Sequence, residues 1–297
     1  MSPKRSFQAY VSEIALLGVG LIWGSTFPVV KIGLASTGAL WFNAYRFLLA
    51  AALAALILVV RWRTLSKDLW RYALLLGSLL AVGYTAQTVG LAYTTSGKAG
   101  FITGLFVVFV PLLGALAFRR RPSNAALFAV FIAVVGLALL SLNDNLTFNP
   151  GDPIVLICAV AYAVHILIVD KVTTIFDTVD LTMAQVVVAG IEMGILAYLF
   201  EPQLPQPNSY TLIALFITAV LATIVAFFVQ IYAQKHIGPT RTALILLSEP
   251  VFAAVFGYLL LQEVLSLRRL AGAALILAGM VIAELYGREK AVGNSAS

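Results

Sequence analysis

The stretch VSEIALLGVGLIWGSTFPVVKIGL, residues 11–34, decides the class of this protein. Only Glu13 and Lys31 carry charge in it, and about 20 mainly apolar residues suffice for a helix to cross the hydrocarbon core of a bilayer. Lys4 and Arg5 just before it imitate the start of a signal peptide. The apolar run is too long for one, however, and no small-residue cleavage site ends it, so it reads as a retained first helix. Outward from it, nine further runs share this character: residues 39–60, 70–93, 98–118, 124–142, 153–172, 181–200, 209–233, 239–261 and 268–286. Composition agrees. Hydrophobic residues make up 61% of the 297, charged residues 11%, and mean hydropathy is +0.99. A soluble domain carries roughly 25% charged residues, so this chain cannot clothe itself in a hydrated surface and must face lipid. An outer-membrane barrel would show strands of about ten residues with alternating character, whereas these runs are continuous. The expected fold is an all-α membrane protein of ten transmembrane helices.

The net charge of +6 does not point to nucleic acid, because the cations stand singly or in short clusters between the apolar runs. With ten spans, fourteen of the nineteen Lys and Arg residues fall on the side of the N-terminus. Lys31, Lys98, Arg268 and Arg269 fall on the other, and Arg46 lies within a helix. This positive-inside bias places both termini in the cytoplasm. The connections are short, with no room for a separate soluble domain, and the polar tail at 288–297 reads as disordered. Cys158 has no partner for a disulfide and reads as a small packing residue.

The chain also repeats itself. A shift of 139 residues lays Trp23-Gly24 on Tyr162-Ala163, Asn43 on Thr182, Arg46 on Gln185 and Pro111 on Pro250. Gly97 and Gly238 open the fourth and ninth helices, and Gly136 and Gly279 hold similar places in the fifth and tenth. Five helices per copy is an odd number, so the second copy must enter the membrane upside down. The expected organisation is a first five-helix repeat at 1–145 and an inverted second one at 146–287. In such architectures the solute site lies near the midplane, between the halves.

Several stretches carry a family resemblance: WGSTFP at 23–28, the paired TTSGKAGF at 94–101 and GPTRTA at 238–243, SEPVF at 248–252 and LQEVLS at 261–266. Their order and spacing resemble the drug/metabolite transporter superfamily, EamA type, over nearly the whole chain. The resemblance implies a carrier of the bacterial inner membrane, often an exporter of amino acids and other small metabolites, working by alternating access. It also implies a central cavity lined chiefly by helices one, three and four and their counterparts six, eight and nine. Tyr162 stands where the family often has Trp, so no particular substrate carries over.

Polar groups inside the spans are the informative positions, because an unsatisfied one costs several kcal/mol in hydrocarbon. Trp23, Ser25 and Thr26 cluster beside Pro28, which removes a backbone hydrogen bond and obstructs the Gly24 carbonyl. They are expected at the substrate, the alternative being an ordinary proline kink with the hydroxyls bonded back to the helix. Pro28, Pro111 and Pro250 are expected to let helices bend, and Glu249, near the bilayer centre, to bind a proton, an amino group or a neighbouring helix. Arg46, with Asn43 on the same face, pairs with Glu192, binds a substrate carboxylate or snorkels. Tyr84, Gln87 and Gln230 offer neutral hydrogen bonds and an aromatic face. Tyr162 and His165 share a face of the sixth helix, where His165 either titrates or is simply hydrogen-bonded. The expected substrate-binding set is therefore Trp23, Ser25, Thr26, Asn43, Tyr84, Gln87, Tyr162, His165 and Gln230. Gating and coupling are expected of Pro28, Pro111, Glu249 and Pro250. Lys98 reads as a snorkelling anchor or an outer gate, and Glu263 as a partner of Arg268 or Arg269. Gly18, Gly20, Gly24, Gly97, Gly100 and Gly104 are expected to allow close packing.

Two other classes compete. A membrane-embedded enzyme needs a nucleophile with its base, paired aspartates or a metal site. The chain has no His-Glu-x-x-His, no intramembrane aspartate pair and two histidines far apart, so neither catalysis nor a metal or cofactor is expected. A channel commonly assembles identical subunits around a pore and has no need of an inverted repeat. The implied partners are the lipid bilayer and a small-molecule solute, not nucleic acid, and a monomer is sufficient.

Overall fold

A computed structural model describes residues 7–94, 96–118, 122–142, 148–262 and 265–286. The tail at 288–297 and Glu263 lie outside the described residues, as do the side chains of Pro28, Lys31 and Gly97. Among the described residues all regular structure is helical. The first half holds α1 (Phe7–Thr37), α2 (Ala39–Val60), α3 (Lys67–Leu91), α4 (Ser96–Gly104), α5 (Phe106–Phe118) and α6 (Asn124–Ser141). The second holds α7 (Gly151–Val172), α8 (Thr178–Phe200), α9 (Ser209–Ala219), α10 (Ala226–Ile237), α11 (Pro239–Leu246), α12 (Ser248–Leu261) and α13 (Leu267–Tyr286). A π-helical turn, Val220–Val225, joins α9 to α10. Nine segments among the described residues are long and apolar enough to cross a bilayer, against ten expected, and α13 occupies the tenth expected place.

Local chemistry explains where these helices start and break. Ser66, Ser123 and Asn208 accept hydrogen bonds from the backbone amides of Leu69, Ala126 and Thr211, capping α3, α6 and α9. Gly38 and Gly238, with φ of 69° and 79°, turn the chain between α1 and α2 and between α10 and α11 without a Cβ clash. The fourth and ninth spans are interrupted at Leu105 and Leu247, shortly before Pro111 and Pro250. Pro250 obstructs the Leu246 carbonyl beside the break at Leu247, whereas Pro111 lies inside α5, past the break at Leu105. By contrast α1 runs through Pro28 as a single helix.

The two halves meet in opposite senses. α2 and α8 run antiparallel. At one end Trp41 Nε1 donates to the Glu201 carbonyl at 2.6 Å, and at the other Arg61 Nε meets Asp180 Oδ1 at 2.8 Å. Between them Gly190 lets the backbones touch, since a Cβ there would lie 2.5 Å from the Phe47 carbonyl oxygen. α6 and α13 are also antiparallel, with Gly136 against Gly272 and Gly279 against Ala129 and Ala133. These pairs join counterparts, second span with seventh and fifth with tenth. Further out, α3 packs on α7 as α1 packs on α9 and α10, and α4 and α5 pack on α7 as α11 and α12 pack on α1. The halves are inverted repeats. Gly20, Gly24 and Gly104 allow close approach as expected, whereas a Cβ on Gly18 or Gly100 would meet nothing within 4 Å, so those two serve no contact. Leu56, Val59, Leu116, Phe131, Ile195, Leu199 and Leu259 point outward, an apolar exterior suited to lipid.

Candidate functional site

Where the halves meet, one backbone carbonyl gathers three spans. In a regular helix the Ala222 oxygen would be spent within its own ladder; the π turn re-spaces that ladder, a device frequent at functional sites. Trp23 Nε1, from α1, donates to this oxygen at 2.8 Å. Arg46 Nη2, from α2, donates to it at 3.0 Å, while Arg46 Nε donates to Thr223 Oγ1 at 2.9 Å. Thr223 Oγ1 in turn donates to the Thr218 carbonyl at 3.0 Å. Arg46 is buried, and its guanidinium lies 5.2 Å from the Tyr84 ring centroid and 5.3 Å from that of Phe47. Aromatic faces and carbonyl oxygens are what a cation without water requires. The pairing of Arg46 with Glu192 does not form: Glu192 accepts from Ser78 Oγ at 2.7 Å instead.

Glu249, half-buried at the start of α12, interacts electrostatically with Arg46 and with Tyr84, Tyr162 and Cys158. No direct ion pair joins it to Arg46 among the described contacts. The surroundings are aromatic. Tyr84 meets Phe47 edge-on at 4.9 Å and Tyr162 at 5.7 Å, and Trp23 meets Phe227 at 5.7 Å. Gly83 makes room for Tyr162, because a Cβ there would lie 2.4 Å from its ring.

The structure thus places Trp23 and Tyr84 beside Arg46, with Tyr162 against Tyr84 and Glu249 within electrostatic reach. Other expected residues serve local ties. Ser25 and Thr26 donate to the Ile22 and Trp23 carbonyls at 2.9 and 2.8 Å, the back-bonded alternative. Asn43 links α2 to α3 through Thr88 Oγ1 at 2.7 Å, and Gln87 links α3 to α4 through Thr103 Oγ1 at 3.2 Å. His165 is buried, bonded to Gln185 Oε1 at 3.0 Å and packed beside Phe227. Gln230 is buried in α10, about one turn beyond Phe227. Pro111 lines only a small recess with Val110, Gly114, Pro122, Leu167, Pro239 and Thr240, between the middle of α5 and the start of α11. Among the described residues no group of three His, Cys, Asp or Glu could hold a metal ion. The sequence reading missed the π turn and the contact of Glu13 with Arg241. VLATIV contains no Gly or Pro to announce a π turn, although Thr223 is a readable polar group within an apolar run.

The EamA-like transporter family matches this chain twice, over residues 11–142 and 149–284. An uncharacterized transporter of Archaeoglobus fulgidus is 35% identical over 274 residues, 92% of this chain and 86% of that protein. The uncharacterized inner membrane transporter YedA of Escherichia coli (strain K12) is 27% identical over 85% of this chain and 83% of its own length. The uncharacterized transporter YoaV of Bacillus subtilis is 22% identical over 90% and 94% respectively. One solved crystal structure shares the fold with a TM-score of 0.79, covering 96% of this chain and 99% of its own at 16% identity. A lipid-facing exterior, two inverted halves and a family match to each half lead to one statement: the chain belongs to the EamA-like transporter family and is a membrane transporter.

Proposed function

We propose that this transporter moves amino acids or related small amphipathic metabolites across the inner (plasma) membrane by alternating access, as an exporter with both termini in the cytoplasm. The supporting observation is the placement of Arg46, from the first half, within electrostatic reach of Glu249, from the second, beside an aromatic group. A zwitterion presents a carboxylate and an ammonium group to two such residues. The planar guanidinium suits the carboxylate, with Nη1 taking no part in the π-turn bonds, and Glu249 suits the ammonium. Tyr84, Tyr162 and Trp23 offer faces to the side chain. The breaks before Pro111 and Pro250 supply pivots for the fourth and ninth spans. Orientation rests on the positive-inside bias and export on the family resemblance.

The test is transport by purified protein in proteoliposomes, screened against amino acids, nucleosides, polyamines and sugars with and without an imposed pH gradient. Saturable uptake and counterflow of amino acids are expected. Saturable transport confined to another solute class would overturn the substrate assignment, and flux without saturation or counterflow would replace the carrier by a channel.

A further inference from the structure

Two ion pairs stand at opposite ends of the bundle, and the repeat maps one onto the other. At the end away from the first and last helix termini, Lys98 Nζ, in α4, meets Asp152 Oδ2, in the first turn of α7, at 2.9 Å. Asp152 Oδ1 also accepts from Thr94 Oγ1 at 2.5 Å. At the other end Arg241 Nη2, in α11, meets Glu13 Oε1, in α1, at 2.8 Å. Glu13 and Asp152 are 139 residues apart, the spacing that relates Trp23 to Tyr162, and Lys98 and Arg241 open the counterpart spans four and nine. The side chains are largely withdrawn from solvent, 12% and 14% exposed in one pair and 20% and 12% in the other. Each pair crosses between the halves, and each ties down a span broken ahead of a proline.

The α2–α8 pair differs. It is fastened at both ends, by Glu201 accepting from the Leu40 and Trp41 amides and by Arg61 and Arg63 around Asp177 and Asp180. It forms a spine, whereas spans four and nine are each held at the end that would have to swing.

We propose that Lys98–Asp152 and Arg241–Glu13 are the two opposing gates of the transporter, both closed in this structure, and that each opens only while the other stays shut. The proposal rests on the alternating-access reading. A pivot at Leu105 carries Lys98 away from Asp152, and a pivot at Leu247 carries Arg241 away from Glu13. Because partly buried, charge-assisted contacts of this kind are strong, each gate opens only when other interactions offset its loss.

The one cysteine is a ready reporter. Cys158 is buried in α7, six residues beyond Asp152, and interacts with Thr103 and Tyr162. In the reconstituted full-length protein, a membrane-impermeant methanethiosulfonate applied at the Lys98 face is expected to label Cys158 slowly. Lys98→Ala and the isosteric Asp152→Asn should each raise that rate by about tenfold, and the charge exchange of Lys98→Asp with Asp152→Lys should restore protection. Arg241→Ala and Glu13→Gln should leave the rate at or below its original value. Val19, buried and 139 residues before Cys158, provides the mirror reporter as Val19→Cys in a Cys158→Ala background. It should respond to Arg241→Ala from the opposite face only. Labelling needs no substrate. This pattern with no amino-acid transport would leave the gates standing and remove the solute assignment; labelling unchanged by all four gate variants would overturn the gates, whatever the transport assay gives.

Discussion

Trp23 and Tyr162 hold the same place in the two halves, as do Ala222 and Gly83, yet the two contacts differ in kind. In one, an indole N–H reaches a carbonyl of a π turn and Arg46 joins it. In the other, a phenol ring lies on a glycine in the regular helix α3, and Gln185, the counterpart of Arg46, turns to His165 instead. A π turn re-spaces its carbonyl ladder, and here one of its carbonyls accepts from both an indole and a buried guanidinium. The inverted backbone therefore supplies a symmetric frame, and divergence within it supplies asymmetric chemistry, with a guanidinium from the first half and the Glu249 carboxyl group from the second.

The largest effect is expected from making the halves alike at this position. Arg46→Gln copies Gln185 and removes a buried guanidinium from its two hydrogen bonds and two ring contacts; hydrogen bonds to a charged group are worth about 1.5–3 kcal/mol each. Transport per inserted protein should fall more than about 100-fold, while insertion measured by cell fractionation persists. Next comes Gly83→Ala. A Cβ 2.4 Å from the Tyr162 ring forces a shift worth about 1–3 kcal/mol, read as a lowered thermal midpoint in detergent. Adding Tyr162→Leu should return much of that stability, which separates overpacking from any need for the glycine backbone. Trp23→Phe is milder. It keeps the ring against Phe227 but removes one hydrogen bond, and the Ala222 carbonyl retains Arg46, so a loss of about 1 kcal/mol should raise KM about fivefold. The smallest change in the pH profile of transport is expected for His165→Asn, because His165 is committed to Gln185 outside the charged group. Glu249→Gln should flatten that profile; an unaltered profile would remove Glu249 from proton coupling.

Much of the fold was legible because a bilayer asks simple things of a sequence. Long apolar runs, cations gathered at alternate loops and an odd-numbered repeat fix helices and their senses. The prolines were read as places for helices to bend; α1 runs through Pro28 and α5 through Pro111, and only the break at Leu247 adjoins the carbonyl that Pro250 obstructs. What escaped depended on rotation about helix axes and on contacts far apart in sequence. Glu192 lies at a depth comparable with Arg46, but α8 turns it toward Ser78. The hydroxyls of Ser25 and Thr26 bond back to carbonyls of their own helix. Gly18 and Gly100 look like packing glycines until a neighbour is sought and none is found. The π turn shows the limit most clearly, because the donors that satisfy it lie 199 and 176 residues away in the chain.

Amino-acid counterflow in proteoliposomes, compared between the native protein and Arg46→Gln, tests the charged site between the halves most directly. Saturable exchange accelerated by solute on the far side, present in the native protein and absent from Arg46→Gln, is the expected result. Exchange of equal rate and affinity in Arg46→Gln, or flux that never saturates in either, would contradict it.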